Sequence, residues 1–284
     1  MTAPSPQLAR RGMQWGGASM ARMQTIAAIL ILALLPTANA LACTKTVRWF
    51  DDAPYSFRDS DGRIGGFDAD LARAALARVG CKARFVELPW ARALVELEAG
   101  RLDVLPSSFR SEQRERFAHF SAPTLQSPNV LYLGPGVAAK YRFARLEYLL
   151  GTNFRLGVQI GVSYGDKFDA IKANPRFKGN LSPITLRRNA WKIMALGRID
   201  GLIADQASAE LELRQLGLGE VLRPSRVVVS TNTAMFAFSK QSVSPHFLAD
   251  FNNAIEGMIA DGNYRKIRAR YLRCTPDIKV LGCP

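Results

Sequence analysis

Histidine is nearly missing: 284 residues hold two, His119 inside the run AHFSAP and His246 at the start of an apolar segment near the C-terminal end. Neither has a serine or cysteine at nucleophile spacing, and nucleophilic or general acid–base catalysis needs a positioned group of that kind. Cysteine is scarce as well. The four present, Cys43, Cys81, Cys274 and Cys283, have spacings that fit no zinc site. The purely apolar run Ile26 to Leu35 is about ten residues long, half of the roughly 20 that cross a bilayer as a helix. The basic excess, 38 Lys and Arg against 24 Asp and Glu, is not gathered into a stripe and carries no nucleic-acid motif, so DNA and RNA are not expected partners.

What is there is a globular composition, 48% hydrophobic and 22% charged over a length that allows two compact lobes. The first 42 residues stand apart. MARM at Met20–Met23 carries one arginine, IAAILILALL at Ile26–Leu35 is apolar, and ANALA at Ala38–Ala42 offers small-residue cleavage sites. That is a signal peptide, cut near Ala40 or Ala42, and the mature chain is expected in the periplasm. Three of the 38 basic residues (Arg10, Arg11 and Arg22) and no acid lie in it, which leaves 35 against 24, a mature net charge of +11. All four cysteines follow the signal, where an even number points to disulfides. Cys43 and Cys81 stand just before the first two expected strands, which as parallel neighbours bring them together, leaving Cys274 and Cys283 for a clip at the C-terminus.

Hydrophobic periodicity then sets out alternating units. VRWF at Val47–Phe50 reads as a buried strand, residues 68–79 as a helix capped by Asp68 and ended by Gly80, and residues 83–87 as the next strand. Pro89 opens a second helix, and Asp103 to Leu105 forms a third strand. Two such units imply a parallel sheet with helices on its faces. Residues 43–133 and 229–284 are expected to form a discontinuous first lobe, and residues 138–225 a second. The second lobe is expected to hold strands at 156–159, 183–185, 201–204 and 220–222. In the helix expected at 244–260, Phe247, Leu248, Phe251, Ile255, Met258 and Ile259 fall on one face as a core stripe.

Several ordered segments carry a resemblance: APYSF, GRIGGFDADLARA, LPWARALVELEAGRLDVL, SEQRERFAHFSAP, RIDGLIADQASAE and DGNYRKIRARYL. Together they resemble the exported amino-acid-binding proteins of bacterial ABC importers, solute-binding family three. The resemblance implies the α/β two-lobe type II periplasmic binding fold, a Venus flytrap with two hinge crossings. It further implies a monomer that needs no cofactor, with a small-molecule ligand between the lobes and a membrane permease as partner.

Residue by residue, Arg114 matches the arginine that pairs with the ligand carboxylate, a task suited to a planar guanidinium fork. Asp205 matches the acid that takes the ligand's ammonium group; it can equally cap the helix that follows, or do both. Ser107, Ser108 and Phe109 occupy a loop that offers polar contacts in the family, with Phe109 standing where a hydroxyl residue is usual; a shift of one residue would put Ser108 in that role. Trp90 and Tyr55 match aromatic positions of the cleft, although both also suit a core. Gln159, Val162 and Ser163 match the second-lobe loop that supplies amides to the carboxylate, and Ser163 with Asp166 can form a capping box. Asp51 and Asp52 lie in the loop after the first strand. Two other functions fit the same fold: a dehydratase acting on a cyclic acid, and a sensor or accessory protein signalling to a separate membrane partner.

Overall fold

The computed structural model describes residues 1–2, 12, 43–141, 144–231 and 233–272. Two compact units divide the chain, Met1–Leu41 and Ala42–Pro284, and every element named below belongs to the second. The expected signal peptide and the expected Cys274–Cys283 clip lie outside the described residues.

Strand β1 (Cys43–Trp49) is followed by α1 (Phe67–Arg78), β2 (Cys81–Glu87), α2 (Trp90–Glu98) and β3 (Val104–Ser108). β1 runs parallel to β2, with partners from Cys43↔Cys81 to Trp49↔Glu87, and parallel to β3 at Val47↔Val104. Parallel neighbours need a crossover, and α1 and α2 supply one each. The register sets the two sulfurs side by side, and Cys43 and Cys81 form the expected disulfide with their Cα atoms 4.4 Å apart.

After α3 (Glu112–Glu115) and β4 (Ala118–Phe120) the chain passes into a second sheet. Its elements are β5 (Asn129–Leu133), β6 (Leu156–Gln159), α4 (Asp166–Ala173), β7 (Leu181–Ile184), α5 (Arg187–Ala195), β8 (Gly201–Asp205), α6 (Gln206–Gln215) and β9 (Arg223–Ser230). The chain then returns to the first sheet as β10 (Thr233–Ser239), and α7 (Pro245–Ala260) and α8 (Asn263–Tyr271) end the described part. The strand orders are β2-β1-β3-β10-β4 and β7-β6-β8-β5-β9, each mixing parallel pairs with antiparallel ones. This is the two-lobe α/β fold, crossed twice by the chain.

Alternation along the strands shows why the second sheet is covered on both sides. In β5 and β8, Leu131 and Ile203 face one cluster with Phe154, Leu156 and Phe168, while Val130, Tyr132, Leu202 and Ala204 face another with Trp191 and Met194. A strand buried on both faces reads as a continuous apolar run. In the first lobe, Val47 and Val104 pack with Phe236 and Phe238 of the returning strand and with Phe251, Ile255 and Met258 of α7. The C-terminal segment therefore completes the N-terminal core.

Several boundaries differ from the sequence reading. β5, placed there with the first lobe, pairs with β8 and β9 in the second sheet, because its two apolar faces fill a central strand position. The strand expected at 220–222 lies instead at Arg223–Ser230. α1 starts at Phe67 with Gly66 as its N-cap, not at Asp68. Gly66 has φ +110, and a Cβ there would stand 2.3 Å from the Tyr55 carbonyl oxygen, so the turn requires glycine. α4 starts at Asp166 with no side-chain cap, so the Ser163–Asp166 capping box does not form. Ser244 does cap α7, its hydroxyl accepting from the Phe247 amide at 3.2 Å. Ile259, expected in the core stripe, is 37% exposed, whereas Phe251, Ile255 and Met258 are buried; the stripe is narrower than the apolar pattern suggests.

Candidate functional site

Parallel strands gather loops at their C-terminal ends, and such ends are where open α/β sheets bind ligands. The ends of β1, β3, β6 and β8 meet here at one cleft between the two sheets, lined by Arg48, Asp52, Tyr55, Trp90, Ser107, Phe109 and Arg114 from the first lobe. Gln159, Val162, Ser163, Tyr164, Arg187, Asp205 and Ser208 line it from the second. The structure thus brings every candidate to the cleft except Ser108 and Asp51. Ser108 is fully buried and its hydroxyl has no hydrogen-bond partner in the described structure. The neighbouring Ser107 takes the cleft position with φ +52, a left-handed conformation uncommon for a residue other than glycine.

Arg114 lies on the one-turn helix α3, capped by Ser111, whose hydroxyl accepts from the Arg114 amide at 3.4 Å. Its guanidinium is buried and donates to two carbonyls, Nη1 to Phe109 at 2.9 Å and Nη2 to Gly161 of the opposite lobe at 3.0 Å. Burial lowers its pKa to about 10. Trp90 Nε1 donates to the same Gly161 carbonyl at 2.9 Å.

Across the cleft Asp205 does two jobs. Its Oδ1 accepts from the Ser208 amide at 2.9 Å, capping α6, and from Tyr55 Oη at 2.9 Å. Burial raises the Asp205 pKa above its ordinary value and raises Tyr55 well above its own, with the Asp205 charge adding to it. Asp52 bridges the lobes too: Arg187 Nη2 donates to it at 2.6 Å and Ser208 Oγ at 3.2 Å. Arg187 also donates to Glu212 at 2.9 and 3.0 Å, and Trp191 Nε1 completes that carboxylate at 2.5 Å. Burial would raise the Asp52 pKa, but the charge and hydrogen bond of Arg187, helped by Arg48, outweigh it and hold Asp52 low.

In the loop after β6 two amides are engaged within the loop itself. The Gln159 amide donates to Tyr164 Oη at 2.9 Å and the Val162 amide to the Gln159 carbonyl at 3.3 Å, so both amides are already satisfied within the loop. Gln159, Val162 and Ser163 line the cleft all the same. Neither His119 nor His246 lines it, and among the described residues no cluster of His, Cys, Asp and Glu could hold a metal ion.

Sequence reasoning missed Arg48 and Arg187. Arg48 is the last residue but one of β1, buried, with Nε donating to the Leu88 carbonyl at 3.0 Å. The available signal was a charged residue within VRWF, an otherwise apolar run. Arg187 stands beside Arg188 at a helix start, where only the tertiary position of Asp52 shows which of the two enters the cleft.

The model of the bacterial extracellular solute-binding proteins, family 3, matches residues 49–273. Among curated proteins, the chain is 21% identical to an L-arginine-binding protein of Pseudomonas aeruginosa over 89% of this chain and 96% of the relative. It is 25% identical to a histidine-binding periplasmic protein of Escherichia coli K12, over 87% and 93%. Among solved structures, an ancestral arginine-binding protein bound to arginine superposes with TM-score 0.69 at 24% identity, covering 81% of this chain and 98% of that one. The chain belongs to the family 3 extracellular solute-binding proteins.

Proposed function

We propose that this family 3 solute-binding protein captures an α-amino acid between its lobes, with the ligand carboxylate on Arg114 and its ammonium on Asp205. One observation carries this reading: a buried guanidinium without a carboxylate partner among the described residues and a half-buried carboxylate line the same cleft from opposite lobes. Buried charges call for partners, and a zwitterion supplies both at once. The Gly161 carbonyl now accepting from Arg114 Nη2 occupies a donor that a ligand carboxylate would take as a stronger, charge-assisted bond. The ammonium would replace desolvation at Asp205 with an ion pair and lower its pKa.

The amino-acid-binding relatives support this class of ligand. The histidine-binding relative is a periplasmic protein, which supports the same compartment for this chain, as does the formed Cys43–Cys81 disulfide. Delivery to the permease of an ABC importer by a monomer is the role that fits, with hinge closure burying the ligand.

Isothermal titration calorimetry with a panel of L-amino acids tests the reading. Wild-type protein should bind at least one of them, and Arg114→Ala and Asp205→Asn should each weaken that binding by about 30-fold or more, the effect of removing one partner of a buried charge pair. Far-UV circular dichroism should stay unchanged. Equal affinity in Arg114→Ala would sink the assignment.

A further inference from the structure

The cleft holds a second guanidinium that the zwitterion leaves unused. Arg48 is buried at 8% exposure; of its nitrogens only Nε donates a hydrogen bond, to the Leu88 carbonyl, and its guanidinium carbon also lies 5.5 Å from the centre of the Phe50 ring. Its terminal nitrogens have neither a hydrogen bond nor an ion pair to a described residue, and the side chain lines the cleft. Arg48 and Arg114 both lie beside the Trp90 ring, each guanidinium carbon 5.5 Å from the ring centre. The two cations are therefore separated by no more than twice that distance, close enough for both to reach one small molecule.

Of the features a basic side chain would need, the Trp90 face and the Asp52 carboxylate are already taken. Its charge would seek an aromatic face or a free carboxylate. The half-buried Trp90 ring already has two protein cations beside it, and a third positive charge there would be repelled. Asp52, which faces the same space, is bound by Arg187 and Ser208.

We propose that the ligand is an acidic α-amino acid whose side-chain carboxylate is held by Arg48, while Arg48 and Arg114 together exclude basic side chains. This rests on the Arg114–Asp205 reading of the α-groups and adds the third contact. It also gives the buried Arg48 a partner. Burial lowers the pKa of Arg48 and only the more distant charges of Asp52 and Asp68 oppose this, a cost that a bidentate carboxylate would offset.

Calorimetry with L-glutamate, L-aspartate, L-glutamine, L-histidine and L-arginine, on wild type, Arg48→Gln and Arg48→Lys, tests the proposal. We expect wild type to bind L-glutamate or L-aspartate at least about 30-fold more tightly than L-glutamine or L-arginine. Arg48→Gln should abolish the preference for the acid over its amide, and Arg48→Lys should keep part of it, since a point charge remains without the fork. Wild type binding L-arginine or L-histidine as tightly as L-glutamate would overturn the proposal, as would an acid preference that survives in folded Arg48→Gln. If that variant does not fold, the wild-type panel decides alone. Arg114-dependent binding of a neutral or basic amino acid would leave the parent reading standing and this one refuted. A panel in which nothing binds refutes both.

Discussion

Asp68 sits in the first turn of α1, 5% exposed, with Ser107 Oγ donating to its carboxylate at 2.6 Å. Burial raises its pKa to about 7 against that hydrogen bond, and the negative charges of Asp52 and Asp205 push the same way. An acid whose folded pKa lies above its unfolded value of about 3.9 keeps a proton in the native state that the unfolded chain has lost. Its contribution to stability is therefore greatest below about pH 4, falls as pH rises towards 7, and stays low above that. Asp68→Asn retains an acceptor for Ser107 and removes the charge. Thermal melts of the ligand-free protein should show the variant more stable than wild type by at least about 1 kcal/mol at pH 8, with the difference vanishing near pH 4. A variant no more stable at pH 8 would show that Asp68 ionises freely. Legibility at this scale was uneven. Arg114 and Asp205 are visible because each sits in a motif with fixed register, while the strand pattern around Arg48 gives no sign of its cleft position: one residue's burial and neighbours depend on elements far away in sequence.

Elements are legible where periodicity and punctuation agree. α7 starts at Ser244 and Pro245 as expected, and its apolar residues recur at helical spacing. Its limits of burial are decided by what it packs against. Met258 is fully buried against Phe251 and the first-lobe core, while Ile259, the next residue, is 37% exposed. Met258→Ala should cost about 2–5 kcal/mol in urea unfolding, and Ile259→Ala less than about 1 kcal/mol. Equal losses would mean that the helix packs in a different rotation. The start of α1 was misplaced by one residue for a related reason. Asp68 has the chemistry of an N-cap, but the close approach of the Tyr55 carbonyl selects Gly66 for that position and turns the Asp68 carboxylate to Ser107.

At the scale of the molecule, two sheets are each completed by distant segments. The first sheet draws β10 from beyond the whole second lobe. The Cys43–Cys81 bond staples its edge pair across a sequence separation of 38, which in the loop-entropy treatment restricts the unfolded chain by about 4 kcal/mol. Reduction, or Cys43→Ala with Cys81→Ala, should lower the thermal midpoint while leaving the relative affinities for different ligands unchanged. An unaltered midpoint would show that the parallel register alone secures the edge. Closure of the lobes is marked by polar contacts that cross the cleft, Tyr55 to Asp205, Asp52 to Arg187 and Arg114 to the Gly161 carbonyl.

The amino-acid order by itself determined the alternation of strand and helix, the family register and the pairing of Cys43 with Cys81, since these follow from local periodicity, turn chemistry and adjacent strands. Tertiary structure alone decided that β5 belongs to the second sheet, that Ser107 and not Ser108 faces the cleft, and that Arg48 is left without an ion-pair partner there among the described residues. Those outcomes depend on which surfaces meet across long sequence separations, and a charge acquires its meaning only from the groups that end up beside it.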